Sequence, residues 1–390
     1  MVVERNILHL DLDTFFVSVE RLRQPELVGK PIMVGGSGDR GVVSACSYET
    51  RKFGVRSGMP MRLARRLCPD ALVLKGDYEA YGKYSRSVTE IITERAPVVE
   101  KASIDEFYVD MTGMEKFVGC LKWSKELKSK IVRETGLSVS WGLSNTKTVS
   151  KIAANENKPD GALYIPSTDV QPFLWKLDVS KLPGVGEKMA HTLRCMGVTK
   201  LGTLAQIPRK LMERTFGKTG LFLWDRANGI DPSPVLPHDK QKSMSKELTF
   251  QTDTTDVQML QATLSRMVEG LAYDLRKDRW CAGKVTVKIR YSDFQTYTRQ
   301  ITIPATSSDH QLTLAAIKIF NALYNRRLLV RLVGVSVSKL VRGTEQLALF
   351  DASGEVVKTR LPNLYQKTDL IKLKHGENRI GHANSYHLGI

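Results

Sequence analysis

Residues 97–110, "PVVEKASIDEFYVD", set the strongest constraint on the fold. They read as strand, interruption and strand, with two adjacent acids, Asp105 and Glu106, between. In an ideal strand neighbouring side chains point to opposite faces, so one acid would enter the interior. A buried carboxylate without a partner is costly. A tight hairpin with "SIDE" at its tip removes the conflict, because alternation breaks at a turn and both acids can aim at one side.

A second acidic motif, Asp11-Leu12-Asp13, closes the first apolar run, "ILHLDL" at 7–12. Asp11 stands near the C-terminal end of that strand, where open sheets often carry ligand-binding groups. Set beside Asp105 and Glu106, it makes a three-carboxylate cluster that repels itself unless cations neutralise it. No His or Cys accompanies these acids, so hard divalent cations with oxygen ligands fit. Two Mg²⁺ on shared carboxylates is a layout for in-line phosphoryl transfer. Three unrelated surface acids are the plain alternative, because D-x-D and D-E are individually weak signals.

Groups that handle phosphate shift the balance. Tyr48 and Arg51, three apart in "SYETRKFGVRSGMP", share one face of a helical turn. Arg51 can clamp a phosphate bidentately, and Tyr48 can donate its hydroxyl. "SNTKTVSKIAANENKPDG" adds Lys147, Lys151 and Lys158, each of which alone reads as a solvated charge. Phe16 follows Asp11 by about one helical turn and reads alone as core. "LPGVGEKMAHTL" places Gly184 and Gly186 in a turn between helical stretches, a helix-hairpin-helix pattern. There, backbone N–H groups approach a DNA phosphate without reading sequence.

The rest of the chain reads as alternating elements. Residues 13–23, 78–95, 114–135 and 146–156 read as helices, and 137–143 and 162–165 as strands. Residues 31–75 hold two short strands and a basic helical stretch. From 167 to about 230 the pattern is helical, broken at 182–186. "GIDPSPVLPHDKQKS", 229–243, has three prolines, a glycine and charges, and reads as a linker. After it come a strand at 245–250, a helix at 256–278, strands at 284–291 and 296–304, a helix at 310–327 and a strand at 331–341. This βαββαβ order predicts one sheet with two helices on a face. In "KVTVKIRY", Val285, Val287, Ile289 and Tyr291 face one way; Lys284, Thr286, Lys288 and Arg290 face the other. A basic, Thr-lined face suits phosphate contacts, with a solvated face as the plain alternative. Residues 362–375 predict an amphipathic helix with Leu364, Ile371 and Leu373 on its apolar side.

Composition bounds the partners. The chain has 390 residues, enough for two to four domains, and 42% hydrophobic content supports packed cores. Its 58 Lys and Arg against 41 Asp and Glu give +17, spread along the chain, which favours nucleic acid before membrane as a polyanion. Five scattered cysteines without a C-x-x-C pair point to neither a zinc site nor a disulfide framework. With no signal-peptide pattern and no bilayer-length apolar run, the expectation is cytoplasmic.

Taken together, "HLDLDTFFVSVE", "GKPIMVGG", "GVVSACSYETRKFGVRSGMP", "SIDEFYVD", "GLSNTKTVSKIAANENKPDG" and "LPGVGEK" resemble the Y-family, translesion DNA polymerases, nearest the bacterial polymerase IV type. The resemblance covers about residues 5–350. It implies a multidomain α+β right hand: a ferredoxin-like palm (1–19 and 77–166), small fingers (20–76) and a helical thumb with the helix-hairpin-helix (167–232). A linker (233–244), a βαββαβ little finger (245–341) and a tail (342–390) follow. It implies that Asp11, Asp105 and Glu106, with the Leu12 carbonyl, bind two Mg²⁺. Asp13 matches an acid that is not usually a direct ligand. Tyr48, Arg51 and Lys158 would hold the triphosphate of the incoming dNTP, and Phe16 would be the steric gate against a 2′-hydroxyl. Thr14 and Ala45-Cys46-Ser47 depart from the commoner pattern, and Val42 and Ser44 would lie near the nascent base pair. The DNA contacts would include Gly184, Gly186, Lys284, Lys288 and Arg290. The implied enzyme is a monomeric, template-directed DNA polymerase of low fidelity and low processivity, without a proofreading exonuclease.

"EQLALFD" matches the bacterial sliding-clamp-binding peptide through Gln346, Leu347, Leu349 and Phe350. Such a peptide would place Leu and Phe anchors in an apolar pocket of a clamp. Two other classes compete: a noncatalytic DNA-binding scaffold, and a palm-type nucleotidyl cyclase. Intact acids speak against the first. A helix-hairpin-helix and a basic C-terminal sheet have no purpose in the second.

Overall fold

The computed structural model describes residues 5–117, 119–237, 241–343, 355–376 and 379–383. The chain forms two units, Met1–Asp239 and Lys240–Ile390. The clamp-peptide residues Gln346, Leu347, Leu349 and Phe350 lie outside the described residues.

In the first unit the order is β1 (Ile7–Leu12), α1 (Phe15–Arg23), β2 (Ile32–Gly35), β3 (Val43–Cys46), α2 (Tyr48–Arg51), α3 (Met61–Leu67) and β4 (Leu72–Leu74). Then come α4 (Tyr78–Arg95), β5 (Val98–Lys101), β6 (Glu106–Asp110), α5 (Cys120–Thr135), β7 (Val139–Ser144), α6 (Lys147–Glu156) and β8 (Ala162–Tyr164). Four helices close it: α7 (Val170–Trp175), α8 (Glu187–Cys195), α9 (Leu201–Gln206) and α10 (Arg209–Ala227), the last kinked at Gly217. A five-stranded sheet runs β5-β6-β1-β7-β8, so β1 sits between two antiparallel neighbours, as in a ferredoxin-like sheet. A separate three-stranded sheet runs β3-β2-β4. The sequence predicts two strands there; the third, Leu72–Leu74, is too short to show a period.

Period-two alternation divides β1, β6 and β7 between two environments. Leu8, Leu10, Leu12, Phe107, Val109, Val139, Trp141 and Leu143 pack with residues of α1, α4 and α5 in the main core. Each such side chain, fully buried, contributes roughly 1.5–3 kcal/mol relative to exposure. His9 and Asp11 alternate with these leucines and lie opposite Tyr108 and Glu106 on β6, and opposite Gly142 and Ser140 on β7. Helix α6 packs on this second set of strand contacts. A Cβ on Gly142 would lie 2.1 Å from the Ser150 carbonyl oxygen and 2.5 Å from the Ala154 nitrogen, so glycine permits the close approach of α6.

The segment expected to be a linker is in part a strap. Asp231 and Val235 are buried. Asp231 accepts from the Thr148 amide (3.1 Å) and hydroxyl (2.7 Å), and Arg5 donates to the Ser233 carbonyl (2.7 Å). The Leu236 amide donates to Glu100 (2.8 Å). Prolines make this stretch extended, and side-chain partners from distant positions bind it to the first unit.

The second unit follows the expected order: β9 (Ser243–Thr254), α11 (Val257–Lys277), β10 (Trp280–Tyr291), β11 (Thr296–Thr306), α12 (Asp309–Leu323) and β12 (Val330–Arg342). Its antiparallel sheet runs β11-β10-β12-β9. Val285, Val287, Ile289 and Tyr291 are fully buried against α11 and α12, as their alternation predicts. The N-cap carboxylate of Asp256 and hydroxyl of Ser308 start the two helices.

A further helix, α13 (Glu355–His375), extends the one expected at 362–375. Its leucines do not form the buried side: Leu364 is 49% and Leu373 70% exposed, and Ile371 is exposed as well. Tyr365, Asp369 and Lys372 turn inward instead. Arg276 holds Asp369 bidentately (2.7 and 2.8 Å), holds Asp309 at 2.6 Å, and lies over the Tyr365 ring. An electrostatic clasp thus overrides the apolar pattern. Among the described residues no helix is long and apolar enough to cross a membrane.

Candidate active site

The hairpin expected at "SIDE" is present, with one adjustment. Asp105 lies in the turn, while Glu106 is the first residue of β6 and pairs directly with Asp11 on β1. Partners opposed in this way stand about 4.5–5.5 Å apart at Cα. The Leu12 amide donates to the Asp105 carbonyl (3.0 Å), which ties the turn to the end of β1. Ser103 caps the turn, donating to the Asp105 carboxylate at 2.5 Å and accepting from the Glu106 amide at 3.0 Å.

Two lysines neutralise the paired acids. Lys158 contacts Asp11 and Lys151 contacts Glu106, each at 2.5 Å. Burial pushes the Asp11 pKa up to about 6; Lys158 opposes the rise, and Glu106 and Asp105 add to it. Burial acts the same way on Glu106, but His9 and Lys151 outweigh it and bring its pKa down to about 2. His9 is fully buried 3.8 Å from Glu106, and burial lowers its own pKa. Its ring nitrogens have no hydrogen-bond partner, so Lys151 is the cation that pairs Glu106. Among the described residues no group of three or more His, Cys, Asp or Glu converges as a metal-holding set. The donors nevertheless suit a hard cation: adjacent carboxylates, one destabilised as an anion by burial, and two ammonium groups already balancing them.

Asp13, set apart in the sequence reading, is a hub. It is 2% exposed and accepts from Tyr48 (3.2 Å), Ser138 (2.8 Å), Ser140 (2.8 and 3.0 Å) and the Asp160 amide (2.9 Å). Ser140 also accepts from the Gly161 amide (3.1 Å). The turn that follows Lys158 is thereby fixed to β1 and β7. Tyr48 and Arg51 share a face of α2 as predicted, with the guanidinium 5.0 Å from the ring centre. Burial raises the Tyr48 pKa, and Asp13 raises it further, so the hydroxyl keeps its proton. Thr14 takes a left-handed backbone (φ 42°, ψ 48°), which a β-branched residue rarely adopts. Strain of this kind concentrates at functional sites. The only early signal of the hub is the inward alternation of Ser138 and Ser140.

Phe16 is the second residue of α1. Its ring stacks on Tyr81 (centroids 4.2 Å, 12°) and meets Tyr78 edge-on (5.7 Å). Tyr81 in turn donates to the buried carboxylate of Glu20 at 2.6 Å. The ring is thus held on an aromatic platform that sequence reading passed over, although Tyr78 and Tyr81 recur at helical spacing.

The expected DNA-contact residues divide. Gly184 has φ +99°, open to glycine, and a Cβ there would meet Phe222 at 3.1 Å. Gly186 is the N-cap of α8 with ordinary extended backbone and open space around its Cα. The helical stretch before this turn is a single 3-10 turn, Val179–Lys181. In the second unit, Lys284, Thr286, Lys288 and Arg290 occupy the sheet face away from the helices, opposite Thr302, Gln300, Thr298 and Thr296. Ser338 and Ser336 continue it on β12, Ser243 and Ser245 on β9. Lys288 is paired with Glu247, which leans across Gly334, and Arg290 donates to Thr296 (2.8 Å).

Comparisons with known proteins bear on the family and the fold. Residues 10–155 match the impB/mucB/samB family and 241–349 its C-terminal domain, while 180–231 match the DNA polymerase-iota thumb domain. DNA polymerase IV of Dehalococcoides mccartyi strain CBDB1 is 37% identical over 389 residues, 98% of each chain. DNA polymerase IV of Methanoculleus marisnigri is 37% identical over 351 residues, 89% of this chain and 98% of that protein. A Y-family DNA polymerase chimera of Dbh and Dpo4 superposes with TM-score 0.79 at 27% identity, covering 87% of this chain and all of the chimera. DinB from Sulfolobus solfataricus gives 0.61 at 28%, with the same coverage. The chain belongs to the impB/mucB/samB family, the Y-family DNA polymerases, as its acids, its thumb motif and its C-terminal βαββαβ sheet led one to expect.

Proposed function

We propose that this chain extends a DNA primer on a template by nucleotidyl transfer from dNTPs, and does so across damaged bases. The observation that carries the reading is the pairing of Asp11 with Glu106 on adjacent strands, each with its own lysine. Asp11, Asp105, Glu106 and the Leu12 carbonyl would hold two Mg²⁺, which when bound supply Lewis acidity toward the primer 3′-hydroxyl and the α-phosphate. Lys158, which contacts Asp11 in this structure, would hold the triphosphate of the incoming nucleotide. Tyr48 and Arg51 hold the same phosphates from α2, by hydroxyl and guanidinium. Phe16, fixed on Tyr81, stands under the sugar and excludes a 2′-hydroxyl by contact.

The same reading assigns the palm to 1–19 and 77–166, the fingers to 20–76, the thumb to 167–232 and the little finger to 245–341. Gly184 and Gly186 present backbone amides to the duplex, and Lys284, Lys288 and Arg290 contact its backbone. Low fidelity, low processivity and the lack of a proofreading exonuclease belong to the proposal, as do a monomeric state, a cytoplasmic location and a sliding-clamp partner. Primer extension with Mg²⁺ and four dNTPs, comparing the intact chain with Asp105→Asn/Glu106→Gln, tests it. Extension by the intact protein alone supports the assignment. Extension by neither, with primer-template still bound, supports a noncatalytic DNA-binding role instead.

A further inference from the structure

We propose that Asp13 is a positioning residue for the incoming nucleotide, setting Tyr48 and Lys158 in one frame. The inference rests on the reading of Tyr48 and Lys158 as triphosphate-holding groups. Asp13 is buried, yet both its oxygens are fully engaged. One accepts from Tyr48 of α2 and from Ser140; the other accepts from Ser138, Ser140 and the Asp160 amide. Its partners thus come from three places: a short helix next to the three-stranded sheet, the start of β7, and the turn that follows Lys158. Ser140 extends the cradle by accepting from the Gly161 amide.

Geometry gives the carboxylate a task that a neutral side chain performs poorly. It meets four separate donors, and one of them, the Asp160 amide, cannot reverse its role. A carboxylate is acceptor-only with about four lone-pair sites, which matches that demand. Bonds to an ionised acceptor are also stronger than neutral ones. Truncation at Asp13 leaves the core strands paired and frees Tyr48 and the 158–161 turn to move independently. Contacts to the triphosphate that are made equally in the ground and transition states, once loosened, raise KM and leave kcat nearly unchanged.

Asp13→Ala is expected to raise the KM for dNTP about tenfold while kcat changes less than about threefold. In a Tyr48→Phe or Lys158→Ala background the same change should move KM by clearly less than it does in the intact protein, because one of the two groups it positions is already gone. Asp13→Glu, which keeps the charge but shifts it by one methylene, should recover part of the loss. Additive effects in both cycles, or an unchanged KM, overturn the proposal. A merely structural role would lower the melting temperature and the active fraction while leaving KM of the active fraction unmoved. If Tyr48→Phe and Lys158→Ala alone leave KM unchanged, the phosphate reading itself has failed, which is a distinct result. Should Asp13→Ala not fold, Ser138→Ala removes one donor at the periphery. It is expected to raise KM two- to threefold, an effect absent in the Lys158→Ala background; no rise counts against the proposal.

Discussion

The second unit runs β-α-β-β-α-β, and the first holds the same order in β1, α4, β5, β6, α5 and β7 with further elements inserted, yet the two arrange these strands differently within their sheets. In the first unit β1 is central, between β6 and β7; in the second its counterpart β9 is at the sheet edge. The consequence for charge is direct. Every residue of β1 is buried, so the charge of Asp11 must be matched by Lys158, the more so because its cross-strand partner Glu106 repels it. Most of β9 is exposed, and the polar face it shares with β10 is open to water. A central first strand makes charges few, coupled and irreplaceable. An edge first strand makes them numerous and individually dispensable. The first arrangement suits bond making, and the second suits holding a polyanion.

The comparison can be broken by substitutions on either side. The largest effect is expected for Asp105→Asn/Glu106→Gln: primer extension should fall by at least about three orders of magnitude with folding retained. Retained extension would separate the coupled acids from the chemistry. Next, Phe16→Ala should reduce discrimination against ribonucleotides on the order of a hundredfold. Unchanged ratios of kcat/KM for dNTP and rNTP would remove Phe16 from the gate.

A third test uses pH. Asp11 has a folded pKa of about 6, above the unfolded value of about 3.9. A raised carboxyl pKa means that the fold favours the proton, so this group weakens the fold as pH climbs from about 4 through 6. Glu106, depressed to about 2, does the opposite: its stabilisation is present above its unfolded pKa and is lost as pH falls toward 2. In EDTA, Asp11→Asn should therefore lose less stability between pH 4 and pH 8 than the intact protein does. Urea unfolding at the two pH values measures it, and equal effects at both would contradict the burial argument.

The smallest effects belong to the second sheet. Replacing Lys284, Lys288 and Arg290 together with Ala should lower the salt slope of DNA binding by about 2–3. Lys288→Ala alone should change affinity less than about threefold, because Lys288 is already paired with Glu247. A single change as damaging as the triple would erase the contrast between the two faces.

What could be read from the sequence follows the same division. The β10 alternation was plain, because each apolar residue faces one core and each polar residue faces water. The pairing of Asp11 with Glu106 could be anticipated from the clustered acids, but the reading that no His accompanies them missed His9, which lies 3.8 Å from Glu106. The Asp13 hub could not be anticipated, since its partners Ser138, Ser140 and Asp160 are ordinary polar residues more than a hundred positions away. The strap at 231–236 was misread for a related reason: prolines signal an extended chain but not where it lies. In α13 hydropathy pointed the wrong way: Tyr365, Asp369 and Lys372 face inward, with Asp369 held by Arg276, while the leucines stay exposed.

The place of β1 in the middle of its sheet has a consequence for how the molecule is made. Its partners lie near residues 106–110 and 139–144, so the strand emerges from the ribosome long before either neighbour exists. At ordinary synthesis rates that interval is on the order of ten seconds. Throughout it, a strand destined to be wholly buried has nothing to pair with and is open to chaperones or to wrong neighbours. Crosslinking of chaperones to stalled nascent chains should therefore be strong at lengths that end before residue 139 and should fade once β7 is exposed. Undiminished crosslinking at the longer lengths would show that some later element, not β7, completes the sheet.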